Sequence, residues 1–232
     1  MSRRSKRYDA RLQAVDRQTT YPLEDALQML QDMPPCNFDE TVELTFRLGI
    51  DPRQSDQNVR GVLVLPHGTG KPVRVVVIAE GEAAEQAQDA GADEVGSDDL
   101  IQRIQDGWLE FDVLIATPAA MKKVRPLGRV LGPRGLMPNP KTGTVTDDTA
   151  AAVKEAKAGR VEYRADRGGC VHCPVGKRSF NQQALQENAM AVIEAIQRAR
   201  PASAKGTYLQ NITVCLTMSP GIKIDVRSVT KA

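Results

Sequence analysis

The chain has 232 residues, of which 41% are hydrophobic and 26% charged, and its formal net charge is +2. This length suits two domains of ordinary size, and the composition excludes a largely disordered or collagen-like chain. No apolar run approaches the roughly 20 residues of a membrane helix, and the charged N-terminus lacks the apolar core of a secretory signal. We therefore expect a cytoplasmic protein, whose four cysteines are reduced thiols.

Before residue 67 the sequence pattern predicts one helix and two strands. The helix occupies 22–33 and ends before a pair of prolines, which cannot continue it. Residues 41–48 alternate between polar and apolar side chains, so we predict a strand with one buried face. A second strand is predicted at 61–66.

The next segment of the chain has a different character. Strands are predicted at 73–79 and 112–117, and helices over 82–90 and from about 98 to 106. A short helix is predicted to follow near Pro118. The alternation of continuously apolar strands with helices is typical of a small parallel sheet that is covered on both faces.

Strands of the alternating type return after a loop rich in proline and glycine at 126–146. The predicted elements are helices over 148–158 and 181–199 and strands at 160–164, 169–175, 207–217 and 222–226. We therefore predict an α/β and α+β protein of two domains. A discontinuous α+β domain comprises 1–66 plus 160–232, and a parallel-sheet α/β domain, 67–159, is inserted into it. The two chain crossings at one place predict a hinge.

Charge is distributed unevenly along the sequence. Residues 80–112 hold eleven acidic side chains and one basic side chain, Arg103, whereas the rest of the chain holds 30 basic against 18 acidic side chains. Basic residues concentrate at 3–17, 121–141 and 154–178. Such clusters indicate either solvated surfaces or a polyanionic partner such as nucleic acid.

The glycine-rich segment at 68–71 invites comparison with a nucleotide-binding phosphate loop. That motif needs a glycine five residues before Gly70 and a hydroxyl after the lysine, but the sequence has Leu65 and Pro72 there. We interpret the segment as a crossing between domains, and His67 as a hinge residue.

Cys170 and Cys173 have the spacing of a metal-binding or redox pair. Zinc needs four ligands, and only Cys36 and Cys215 remain as distant thiols. The pair also lies on a predicted strand, where the two side chains face opposite sides, and not at the helix N-terminus that redox catalysis favours. Ordinary strand or core thiols are the favoured interpretation. A nucleophile motif is also lacking, so we predict a protein that is not an enzyme and has no metal or cofactor.

Two loops carry candidate functional residues. Residues 131–140 contain three prolines and two glycines, and they form either a structural turn or a rigid basic loop that contacts phosphate. Residues 217–221 form either a tight turn or an edge whose hydroxyl groups bond RNA 2′-hydroxyls and phosphates, with Met218 adding apolar packing.

Several strings in these regions resemble those of the bacterial large-subunit ribosomal protein L-one family. The matching strings span nearly the whole chain and are Ser5–Tyr8, Phe38–Glu43, Leu48–Lys71, Leu127–Val145, Gly159–Asp166, Gly176–Lys177, Lys205–Leu209 and Thr217–Met218. The resemblance implies a structural protein, monomeric within the ribosome, whose discontinuous domain binds the ribosomal RNA stalk near the tRNA exit site. It also implies an influence on release of deacylated exit-site tRNA, and translational repression through the protein's own mRNA. Membrane and small-molecule partners are not expected.

The resemblance also implies the RNA-binding residues. The principal ones are Phe38, Glu40, Thr41, Lys177, Thr217, Met218, Ser219 and Pro220. Secondary contacts are expected from Arg4, Lys6, Arg7, Arg129, Arg134, Lys141, Arg164 and Arg167. The chain departs from the family pattern at Ser219, where glycine is usual, and at Asn37, where lysine is common. Cys170 and Cys173 stand at usually apolar positions, so a zinc- or thiol-dependent protein is the weaker alternative.

Overall fold

The computed structural model describes residues 5–230, apart from the side chain of Ser55. The chain divides into two compact units, which we call unit 1, Met1–Gly70 with Val161–Ala232, and unit 2, Lys71–Arg160. The boundaries predicted from sequence, after residues 66 and 159, lie within four residues of these. The predicted fold class is confirmed, because the chain combines antiparallel sheets with a parallel three-stranded sheet and helices.

The helices and strands follow one another along the whole described chain. The first half contains α1 (Lys6–Gln13), α2 (Leu23–Asp32), β1 (Thr41–Leu48), β2 (Arg60–Val64), β3 (Val75–Ile78), α3 (Glu82–Asp89), β4 (Glu94–Gly96), α4 (Asp98–Gln105) and β5 (Val113–Ala116). The second half contains α5 (Met121–Val124), α6 (Gly128–Leu131), α7 (Thr149–Lys157), β6 (Arg160–Arg164), β7 (Cys170–Lys177), α8 (Gln182–Arg198), β8 (Leu209–Leu216), β9 (Ile222–Ile224) and α9 (Val226–Val229).

Unit 1 is built on a four-stranded sheet with the order β7-β1-β8-β9. The alternation predicted for β1 is confirmed, since Val42, Leu44 and Phe46 are buried and the residues between them are partly exposed. Helices α2 and α8 contribute apolar side chains to the same core. Because β1 runs antiparallel to β7 and to β8, its first residue meets the last residues of both neighbours at one end of the sheet.

Unit 2 is built on a parallel sheet with the order β4-β3-β5. Both faces of β3 are buried: Val76 and Ile78 pack with α4, while Val75 and Val77 pack with α3 and α7. This is the reason for the continuously apolar strand in the sequence. The prediction missed β4, because three residues are too few to produce a periodic pattern.

The segment 126–146, predicted as a loop, contains α6 and the 3₁₀ turn Pro140–Thr142, and another 3₁₀ turn, Arg125–Leu127, overlaps its start. Leu127 and Leu131 anchor it in the core of unit 2. Within the described part of the chain, no helix combines the length and apolarity needed to cross a membrane.

Candidate nucleic-acid interface

Three predicted RNA-binding residues meet where β1 begins and where β7 and β8 end. The N–H of Thr41 donates to Thr217 Oγ1 at 3.1 Å, and the N–H of Thr217 donates to the Thr41 carbonyl at 3.1 Å. On the other side of β1, Lys177 Nζ donates to Thr41 Oγ1 at 2.9 Å. The two hydroxyls and one ammonium group therefore lie on adjacent strands at the same end of the sheet.

A buried ion pair lies directly beside this group. Glu40, the residue before β1, and Arg11 of α1 both have fully buried side chains. Arg11 Nη2 lies 2.7 Å from Glu40 Oε2 and Arg11 Nη1 lies 2.9 Å from Glu40 Oε1, which is a bidentate arrangement. Arg178, just after β7, approaches Glu40 Oε2 at 3.4 Å. The pair therefore joins α1 to the sheet.

The electrostatics of Glu40 follow from these contacts. The Arg11 guanidinium lowers the pKa of Glu40 from 4.5 to about 2, with further support from the Cys36 thiol and the N–H of Met218, while burial opposes the shift. The same hydrogen bond to Glu40 raises the pKa of Arg11, against the opposing effect of burial. Both groups are thus charged at neutral pH.

The burial of Glu40 corrects its assignment as an RNA contact. Its side chain has no exposed surface, and its Oε1 accepts the N–H of Met218 at 3.1 Å. Its role in the structure is to hold the backbone of the turn that carries Met218. Pro220 is also buried, so its predicted RNA contact is corrected for the same reason.

Two large apolar side chains are exposed at this end of unit 1. Phe38 is 52% exposed and Met218 is 48% exposed; over the described residues only two further large hydrophobic side chains, Val64 and Val130, are comparably open. Asp39 fixes the chain beside Phe38, since it accepts the N–H and the hydroxyl of Ser179 at 3.2 and 2.7 Å. Water-exposed apolar groups held on an ordered backbone are typical of an interaction surface.

Ser219 is accommodated by the turn. Its Oγ accepts the N–H of Leu216 at 2.8 Å and donates to the Pro220 carbonyl at 2.9 Å. The described residues with positive φ are all glycines, so the backbone at 219 does not require a glycine. The serine hydroxyl therefore ties the turn together internally.

The remaining predicted contacts fall into three groups. Arg4 lies outside the described residues, whereas Lys6 is exposed and Arg7 half-buried on α1, close in sequence to Arg11. The other five are exposed. Arg164 lies on β6 and Arg167 in the turn after it, whereas the remaining three belong to unit 2: Arg129, Arg134 and Lys141. Within unit 1, Arg164 belongs to the two-stranded sheet of β2 and β6 and not to the sheet that carries the cluster at the start of β1.

The cysteine pair has the geometry expected of a strand. Cys173 is buried and Cys170 is partly exposed, and burial raises the pKa of Cys173 to about 12. Among residues 5–230, no group of three or more histidine, cysteine or acidic side chains is arranged to hold a metal ion. At neutral pH the Cys173 thiol stays protonated, and the observed environment is that of a core thiol.

Comparison with known protein families identifies the family of the chain. Residues 30–220 match the ribosomal protein L1p/L10e family. The chain belongs to this family. It is accordingly a ribosomal, RNA-binding structural protein, and its partner is the ribosomal RNA of the large subunit.

In this L1-family protein, sequence reasoning missed the organising role of Arg11 and Arg178. Both belong to the basic clusters for which the sequence predicts either a solvated surface or a polyanionic partner, yet Arg11 is fully buried and Arg178 is mostly buried. Arg178 Nη2 also donates to the Gln31 carbonyl at 2.8 Å. One signal was available for Arg11: it precedes by four residues the buried Val15, which lies just after α1.

Replacing Glu40 with glutamine should destabilise unit 1. Glu40→Gln leaves the buried Arg11 guanidinium without its carboxylate, and breaking a buried pair in this way costs about 3–5 kcal/mol. The wild-type pKa of Glu40 lies below its ordinary value, so the stabilisation is complete above about pH 4.5 and is lost as the pH falls toward 2. Urea unfolding at several pH values measures the difference between variant and wild type.

Glu43→Gln is the matched control for this measurement. Glu43 lies three residues further along, on β1, and its side chain is 41% exposed and paired with His172. We expect a change below about 0.5 kcal/mol at pH 7. Equal stability of Glu40→Gln and wild type at pH 7, or a difference that grows on acidification, would contradict the assigned role of the pair.

Proposed function

We propose that unit 1 binds the ribosomal RNA stalk near the tRNA exit site through a surface that we call the stalk-RNA surface. It comprises Phe38, Thr41, Lys177, Thr217 and Met218. The observation that carries the proposal is the convergence of two exposed apolar side chains with two hydroxyls and an ammonium group at one end of the sheet. Hydroxyls and lysine suit RNA 2′-hydroxyls and phosphates, and the apolar groups suit sugar and base surfaces.

We further propose the finer roles of the bacterial members of the family for this chain. Unit 2 would influence the release of deacylated tRNA through its exposed Arg129, Arg134 and Lys141. The stalk-RNA surface would also bind a stalk-like site on the protein's own mRNA and repress translation. The protein would act as a single copy per ribosome, in the cytoplasm. The basic groups exposed on unit 2 support the tRNA contact, because they can meet phosphates.

Titration against RNA tests the proposal directly. A stalk RNA fragment and an unrelated hairpin of equal length are bound at low and at high salt. Affinity for both should fall as salt rises, because phosphate contacts release counterions, while a preference for the stalk fragment should remain. Equal affinities for the two RNAs at both salt concentrations would refute the proposed function.

Substitutions in the stalk-RNA surface test its residues. Thr217→Val and Thr41→Val should each weaken stalk binding by about 1–3 kcal/mol, since each leaves an RNA polar group unpaired. Met218→Ala should cost about 1 kcal/mol or more through lost apolar contact. Thermal unfolding of Thr217→Val should change little, because Thr217 is exposed and water can replace its hydrogen bond.

Thr207→Val is the control for the threonine variants. Thr207 is exposed just before β8, at the opposite end of that strand from Thr217. Its replacement should leave stalk affinity unchanged. Wild-type affinity in both Thr41→Val and Thr217→Val would show that these hydroxyls do not contact RNA.

Removal of unit 2 tests whether unit 1 alone carries the specific RNA binding. Every buried residue of the unit 1 core comes from unit 1 itself, and so does the whole stalk-RNA surface. With residues 71–160 replaced by a short Gly-Ser linker, we expect cooperative thermal unfolding and stalk affinity within about tenfold of the intact protein. A truncated protein that unfolds cooperatively but lacks specific RNA binding would indicate that the principal RNA contact lies at residues 125–141.

A further inference from the structure

A groove lies between α1 and the turn that follows β8. Its volume is about 410 Å³, and it is lined by Ser5, Arg7, Tyr8, Thr217, Met218 and Ser219. We propose that this groove, which we call the α1 groove, holds one unpaired nucleotide of the bound RNA, with its base against Tyr8 and Met218 and its phosphate at Arg7. This inference rests on the proposed function, because Thr217 and Met218 also belong to the stalk-RNA surface.

The chemistry of the lining favours a nucleotide. An aromatic ring and a thioether side chain offer apolar contact to a base. The hydroxyls of Ser5 and Thr217 line the same groove and can form hydrogen bonds with base edges or with ribose. Proteins recognise RNA sequence mainly through unpaired bases, which stack on aromatic side chains and arginine planes. A base inside a duplex is already stacked and cannot enter a groove of this kind.

Charge at the groove selects a polyanion as the occupant. Arg7 lines the groove, and the exposed Lys6 is its neighbour on α1. Both cations lie at the start of α1, where the positive end of the helix dipole also favours a phosphate. The α1 groove is continuous with the stalk-RNA surface through Thr217 and Met218, so one RNA can contact both.

Both walls of the groove are fixed by the same carboxylate. Arg11 follows Tyr8 by three residues and Arg7 by four, so all three lie toward one side of α1. The Glu40 carboxylate accepts from Arg11 through both oxygens and from the N–H of Met218 through Oε1. The Oγ of Ser5 accepts the N–H of Tyr8 at 3.3 Å and caps the helix. Because the groove is already ordered, little conformational entropy is lost on binding, and this favours affinity.

The test uses the intact protein and stalk RNA in which each unpaired nucleotide in turn lacks its base. One such abasic RNA should bind the wild type about tenfold more weakly than the complete RNA, a loss typical of one stacked base. Tyr8→Ala should bind the complete RNA about tenfold more weakly and should be insensitive to removal of that same base. Tyr8→Phe should behave as the wild type, because the ring is retained.

A fluorescent base placed at the sensitive position gives a second readout. 2-Aminopurine there should be quenched on binding to the wild type and less quenched on binding to Tyr8→Ala. Gln13→Ala, on the exposed side of α1, is the control and should change neither affinity nor quenching. If Tyr8→Ala lowers the helix content seen by circular dichroism, Tyr8→Leu replaces it, since leucine keeps apolar bulk and helix propensity without a ring.

The outcomes separate the two proposals. In one outcome, the wild type prefers stalk RNA to the hairpin while every abasic position affects it and the Tyr8 variant equally. That result would overturn the α1 groove proposal and leave the proposed function intact. Wild-type protein without any preference for stalk RNA would overturn both. One abasic position that weakens binding to the wild type but not to the Tyr8 variant would support both proposals.

Discussion

The buried ion pair of Arg11 and Glu40 is the interaction on which the proposed RNA-binding end of the protein depends. Four parts of the chain meet at the Glu40 carboxylate or its backbone: α1 through Arg11, the residue after β7 through Arg178, the turn after β8 through Met218, and the start of β1 itself. Replacing a buried pair with apolar groups is often neutral for stability, whereas removing one partner is costly. The pair therefore fixes where these segments lie relative to one another.

This fixed frame explains how apolar groups can stay exposed in an ordered way. The chain beside Phe38 is held by the hydrogen bond between Asp39 and Ser179, and the N–H of Met218 is held by Glu40, so both side chains project from an ordered backbone. The hydroxyls of Thr41 and Thr217 are likewise held by backbone and lysine contacts. A surface prepared in this manner loses little conformational freedom when a ligand binds, and more of the contact energy appears as affinity.

Formal charge in the sequence overstates the positive charge that is available to RNA. Arg11 and Arg178 form ion pairs with Glu40. In unit 2, Lys123 Nζ lies 2.8 Å from Glu80 and 3.0 Å from Asp98. Lys123 therefore compensates part of the acidic segment 80–112. The cations that remain exposed are fewer and more localised, which favours recognition by a small set of hydrogen bonds and apolar contacts over binding by charge alone.

The sequence by itself determined most of the secondary structure, the fold class and the family, because these depend on patterns that are local along the chain. The alternation in β1, the uninterrupted apolar residues of β3 and the strings around Phe38 and Thr217 are readable without coordinates. It failed for β4, which is too short to show a period, for α6, which lies in a segment rich in glycine and proline, and for the short terminal helices α1 and α9. Only the tertiary structure decided that Glu40 and Pro220 are buried, that Arg11 is a structural residue, and that Tyr8 and Met218 line one groove. The physical reason is distance along the chain: Arg11 lies 29 residues from Glu40 and Glu40 lies 178 residues from Met218, so burial and pairing there exist only once the sheet has formed.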